Sequence, residues 1–88
     1  MYQLSVVIPS GKIFEDTVES VAAPGLEGGL EVFSKHMSIL CALTKGSVRI
    51  RKDGKDIKSF MIDSGVLEVD ANHNVLILAD QILDDIQK

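Results

Sequence analysis

What most constrains this chain is a succession of short alternating apolar runs, each stopped by turn formers. Leu4, Val6 and Ile8 share one side of an extended segment that ends at Pro9-Ser10-Gly11. Period-two alternation closed by such residues predicts a strand followed by a turn. Residues 46–52 and 55–62 flank Asp53-Gly54. Asp-Gly between two alternating runs is the strongest short-range hairpin signal. Residues 66–70 and 75–79 flank Ala71-Asn72-His73-Asn74, a second hairpin, in which Asn72 and Asn74 tolerate a left-handed backbone. Residues 30–33 and 38–43 read as two more strands around Ser34-Lys35-His36-Met37. Between Lys12 and Ala23 the apolar parity changes after Val18, which predicts one strand bent by a bulge near Glu19-Ser20. About eight to ten short strands at regular spacing predict an antiparallel sandwich or barrel. No βαβ alternation is present, which argues against a nucleotide-binding fold.

The C-terminal stretch breaks the pattern. Ile82 and Ile86 stand at i, i+4 behind Asp80, a suitable N-cap. This predicts at most a short helical turn, too short to be stable alone. The division expected is a β domain over residues 1–80 and a tail over 81–88, helical or disordered.

At 88 residues the chain is one domain with room for one core. A net charge of −4 opposes non-specific nucleic-acid binding, which needs cations to displace phosphate counterions. It equally opposes attachment to anionic lipid. One cysteine excludes an internal disulfide and fits a reducing compartment. The N-terminus has no basic segment followed by a long apolar run, so no signal peptide is expected.

The motifs that suggest chemistry have better structural readings. Asp70-Ala71-Asn72-His73-Asn74 matches the opening of a calcium loop, D-x-N-x-N. The sixth position of that loop, a glycine, is Val75 here, and the twelfth, a bidentate Glu, is Gln81. A plain hairpin turn is the better reading. Pro24-Gly25-Leu26-Glu27-Gly28-Gly29 lacks the Lys-Ser/Thr and the helix of a phosphate loop. It reads as a turn-rich surface loop, or as a close-contact docking surface. Cys41 lies among apolar neighbours, as buried inert thiols do. His36, on an adjoining loop, offers it no third, orienting group. Arg49, Arg51, Lys52, Lys55 and Lys58 concentrate positive charge on one hairpin. That is a solvated outer face or a patch for an acidic protein partner. Neither catalytic residues, nor a metal site, nor a cofactor is expected. A small enzyme or metal binder would rest on Cys41, His36 and the carboxylates alone.

The order and spacing of several pieces resemble the epsilon subunit of F-type ATP synthases. The pieces are the opening Met1-Tyr2-Gln3-Leu4-Ser5-Val6-Val7, then Phe14-x-x-x-Val18-x-x-Val21, then Ala23-Pro24-Gly25-Leu26-Glu27-Gly28. His36, Ile39-Leu40 and Leu43-x-x-Gly46 follow. Ser64-Gly65-Val66-Leu67-Glu68-Val69 and Val75-x-x-Leu78-Ala79-Asp80 complete them. The family commonly has Gly-Glu where this chain has Gly28-Gly29, with an acidic residue instead at Glu31. It has Pro-Gly-His-x-Pro where this chain keeps only the histidine of Ser34-Lys35-His36-Met37-Ser38.

The resemblance implies a ten-stranded β-sandwich in the rotor's central stalk. It implies a non-catalytic subunit that binds the gamma subunit along one side and polar loops of the c-ring at one end. By resemblance, the interface residues are Glu27, Gly28, Gly29, Glu31, His36 and Ser38. The family normally continues into two C-terminal helices, which in many members inhibit ATP hydrolysis and in some bind ATP. A chain ending at Lys88 is expected to couple without that inhibition. It is expected not to be a homo-oligomer by itself, and to meet the membrane only through the complex. Its expected place is peripheral, on the cytoplasmic face of a bacterial plasma membrane. A free-standing β adaptor for another partner is the alternative.

Overall fold

The computed structural model of the chain describes residues 1–33 and 38–87. Among the described residues there are ten strands and no helix. They are β1 (Tyr2–Ile8), β2 (Gly11–Val18), β3 (Ser20–Ala23), β4 (Leu30–Val32) and β5 (Ile39–Leu43), followed by β6 (Gly46–Lys52), β7 (Lys55–Ile62), β8 (Gly65–Val69), β9 (Val75–Ala79) and β10 (Ile82–Gln87). The first sheet has the order β2-β1-β9-β8-β5 and the second β10-β7-β6-β3-β4. The sandwich expectation holds, with one departure from an all-antiparallel pattern: β1 and β9 pair in parallel, because the chain returns to β1 from the far side of the fold and not through a hairpin.

Alternation places the core between the sheets. Tyr2, Leu4 and Val6 of β1 are buried, as are Val75, Ile77 and Ala79 of β9. Val48 and Ile50 of β6, with Phe60 and Ile62 of β7, face them from the second sheet. Each Val, Leu, Ile or Phe side chain among them, removed from water, contributes about 1.5–3 kcal/mol.

Both predicted hairpins form. Lys52 faces Lys55 across Asp53 (φ 55°) and Gly54 (φ 77°), two left-handed residues whose twist matches that of the strands. In the second hairpin the left-handed residue is His73 (φ 64°), not an asparagine. The Asp70 carboxylate decides this. Its Oδ1 accepts the backbone N–H groups of Asn72 (2.8 Å) and Asn74 (3.0 Å), and the N–H of His73 donates to the Asp70 carbonyl (3.0 Å).

Two expectations need correction. The predicted bulge near Glu19-Ser20 is instead the point where the chain leaves the first sheet for the second. Val18 ends β2 and Ser20 begins β3, so both apolar parities are satisfied, each in its own sheet. Glu19 fastens the crossing: its N–H donates to the Arg51 carbonyl (2.8 Å), and its carboxylate accepts the N–H of Gly54 (3.1 Å).

The expected tail of helix or disorder is strand β10, paired antiparallel with β7 from Ile82↔Ile62 to Gln87↔Lys58. Asp80 caps no helix. Its N–H donates to the Ser64 carbonyl (3.0 Å) and its carboxylate accepts the Ser64 hydroxyl. A six-residue segment gains little as a helix, whereas the open edge of β7 offers it five backbone pairings, with one register shift between Ile82 and Asp84.

Side chains also tie the sheets together. Lys52 of β6 donates to both carboxylate oxygens of Asp16 on β2, at 3.3 and 3.2 Å. Beside that ammonium, the Asp16 carboxyl is held below its usual range. The buried Tyr2 hydroxyl of β1 donates to the Val32 carbonyl of β4 (2.6 Å). Burial above all pushes the Tyr2 hydroxyl well above the ordinary phenol range, and the Glu31 charge adds to this.

The folded chain therefore holds the Tyr2 proton more tightly than the unfolded chain does. Below about pH 10 both states keep it and stability is unaffected; above that, the unfolded state ionises first and stability falls. We predict that Tyr2→Phe costs about 1 kcal/mol at neutral pH, the net worth of one hydrogen bond. The gap to the parent should narrow above about pH 10, measured by denaturant unfolding. Tyr2 is the single tyrosine and there is no tryptophan, so phenolate absorbance reports on this group directly.

Candidate interaction surfaces

The glycine-rich segment is the loop of the β3–β4 hairpin, in the second sheet, yet it is bonded to β5 of the first. The Leu26 N–H donates to the Ala42 carbonyl (2.9 Å), and the Thr44 N–H donates to the Pro24 carbonyl (2.8 Å). Gly25 forms an isolated antiparallel bridge with Leu43. The turn closes through Gly28, whose N–H donates to the Gly25 carbonyl (3.1 Å) and whose φ of 131° lies outside the range of ordinary L residues. Pro24 rests on Gly46, where a Cβ would sit 2.7 Å from the proline ring. Leu26 is 66% exposed at the tip, with Glu27, Gly28 and Gly29 exposed beside it. Between this loop and β5 lies a hollow of about 390 Å³, rimmed by Leu26 and Leu40.

The interface residues expected by resemblance divide into groups. Glu27, Gly28 and Gly29 sit together at the tip. Glu31 lies on β4, opposite Ala22 of β3, and accepts a 3.4 Å bond from Ser20. It therefore lines the outer surface of the second sheet beside Arg49, in a hollow that Gly29 of the loop also borders. Ser38 is exposed just before β5. His36 lies outside the described residues.

A surface that the strand pattern did not single out spans the first sheet. Val7 of β1 pairs with Leu78 of β9, Leu78 with Val66 of β8, and Val66 with Ala42 of β5. These residues alternate with the buried ones, so they form an apolar row on the outer face. Leu78 is 48% exposed and Leu40, on the adjoining row, 72%. A groove of about 470 Å³ runs along the row beside Pro9 and Ser64. The signal was in the sequence: Val66, Leu76 and Leu78 are apolar at both parities of their strands, which a one-sided sheet does not need.

The other motifs take structural parts. The Cys41 side chain ends the inward row Val6–Ile77–Leu67–Cys41 and is half-buried, a small apolar group at the rim of the core. The cationic hairpin spends part of its charge internally, with Arg51 on Asp56 (3.6 Å) and Lys52 on Asp16 (3.2 Å). Among the described residues no group of three or more metal-ligating side chains converges, and no helix is long and apolar enough to cross a membrane.

The family described as "ATP synthase, Delta/Epsilon chain, beta-sandwich domain" matches residues 1–85. The chain belongs to this family. An ATP synthase epsilon chain from Chlorobium limicola is 37% identical over 79 residues, covering 90% of each chain. Another from Sulfurihydrogenibium sp. is 33% identical, covering 96% of this chain but 62% of its own length. Two solved assemblies share the fold at 19% identity. They are the central stalk and c-ring of the Tetrahymena thermophila mitochondrial ATP synthase (TM-score 0.81; 94% of this chain, 66% of that one) and the mitochondrial enzyme of Euglena gracilis (0.85; 94% and 52%). The chain thus spans little more than half to two-thirds of several proteins it matches. Its curated relatives are epsilon chains of ATP synthases.

The calcium-like motif is checked by its own geometry. Asp70 Oδ1 is already occupied by two backbone N–H groups. We predict that Asp70→Ala lowers stability by about 1 kcal/mol, with or without calcium. Thermal unfolding of both proteins with added calcium or chelator checks this; a calcium-dependent midpoint in the parent contradicts it.

Proposed function

We propose that the chain is a central-stalk subunit of an F-type ATP synthase that holds the gamma subunit against the c-ring, so that ion flow and ATP synthesis stay coupled. The outer face of the first sheet receives gamma, and the Leu26–Gly29 tip meets the polar loops of the ring. The complex would place it peripherally on the cytoplasmic side of a bacterial membrane.

The observation that carries this reading is that the two surfaces share one strand. The exposed side chains of β5, Leu40 and Ala42, finish the apolar face, and its backbone carries the loop. A contiguous exposed apolar row on a chain of net charge −4 suits a long-lived protein contact. The exposed, glycine-rich tip suits close approach to a polar surface.

Placing a charge in the row tests the gamma contact. Leu78 is half exposed, so Leu78→Lys should fold normally. We predict that its affinity for gamma falls at least about tenfold, as expected for a charge buried at an interface centre. Titration of the isolated gamma-containing partner measures this, and an unchanged Kd rejects the assignment of this face.

A further inference from the structure

We propose that Gly25 is a positioning residue for the ring contact, a role resting on the reading above. Gly25 is buried beneath the tip it precedes. A Cβ built there would lie 2.4 Å from the Gly28 carbonyl oxygen and 2.7 Å from a Leu30 methyl. The first of these is backbone and belongs to the turn itself, so no side-chain rotation relieves it. Gly25 has no left-handed φ, unlike Gly28, so its requirement is for space rather than for backbone conformation.

The missing side chain lets the turn fold down until the Gly28 N–H reaches the Gly25 carbonyl (3.1 Å), while the Leu26 N–H reaches Ala42 on the other sheet (2.9 Å). The tip is thereby pinned at its base and along its first residue. A methyl at position 25 lifts the 26–29 turn away from β5. It leaves untouched the pairings of β5 with β8 and of β3 with β6. Gly29 makes the contrast: a Cβ there meets nothing within 4 Å. Two glycines four residues apart in one loop thus have different reasons to be glycine, and the buried one sets where the exposed carboxylate of Glu27 stands.

The test uses the assembled enzyme. A photoactivatable residue replaces either Glu27, on the tip, or Leu40, on β5, with Gly25 intact or changed by Gly25→Ala. The expected result is that Gly25→Ala lowers the Glu27 crosslink to the ring several-fold. It should leave the crosslink from Leu40, and the thermal midpoint of the free chain, near their parent values. Equal Glu27 crosslinking in the two backgrounds overturns the proposal. So does a parallel loss at Glu27 and Leu40 with a collapsed midpoint, which would make Gly25 a folding residue and nothing more. Absence of any Glu27 crosslink to the ring with Gly25 intact is a different failure: it removes the ring contact itself, and this role with it.

Discussion

Strands β1 and β9 lie side by side in parallel at the centre of the first sheet, with Leu4 against Val75 and Val7 against Leu78. Every other described pairing is antiparallel. Without this one, the first sheet separates into the β1–β2 pair and the β9-β8-β5 ribbon. Each would expose one flank of the core. The pairing joins residues near opposite ends of the chain, so its loop-closure entropy is large, and parallel ladders are slightly weaker per residue. Burial offsets that cost. Leu4, Val6, Val75 and Ile77 are 0–3% exposed. The same register sends Ser5–Leu76 and Val7–Leu78 outward. Core and apolar outer row are therefore fixed by one registration, and a one-residue slip would exchange them.

Local chemistry was legible in the sequence; long-range partnership was not. Asp53-Gly54 announces its hairpin because two left-handed residues in sequence satisfy few other structures. The β8–β9 hairpin is legible for a similar reason, but His73 takes the left-handed position because Asp70 organises the turn, an effect that composition alone does not reveal. Residues 82–87 carry no clean strand signal. Ile82 and Ile86 are four apart, as on a helix, and the strand they form has a register shift between Ile82 and Asp84, so they pair with Ile62 and Ser59, three residues apart on β7. The edge of β7 decides for the strand, and it is known only after the sheet exists. The break at Glu19 is likewise ambiguous in one dimension, since a bulge and a change of sheet produce the same shift of parity.

The candidate site divides along the same line. The loop is recognisable by its glycines, and the resemblance marks it as an interface. What the string of residues hides is which neighbours share a surface. Glu31 is two residues from the tip in sequence, but strand pairing turns it onto the outside of the second sheet, bonded to Ser20 and beside Arg49. Among the described residues, Glu27 is the carboxylate on the exposed turn itself, whereas Glu31 stands at the flank of the loop, in a hollow shared with Gly29. The apolar row is hidden for the opposite reason. Its members come from four strands, and only register aligns them.

The proposed function also constrains stiffness. A subunit that links a rotating shaft to a ring must not yield between its two grips, and an unsupported glycine loop would yield, because few contacts resist its motion. Here the loop belongs by sequence to the second sheet and by hydrogen bonding to the first. A load on Leu26 passes through its N–H to the Ala42 carbonyl, and so into β5 and the face carrying Val66 and Leu78. The same load passes along the backbone through Ala23 into β3 and β6. Neither path crosses a flexible linker, and both end in close-packed side chains of low compressibility. The glycines therefore do not make the loop soft. Gly25 and Gly46 remove the side chains that would hold it off the sandwich, and that close seating is what stiffens it.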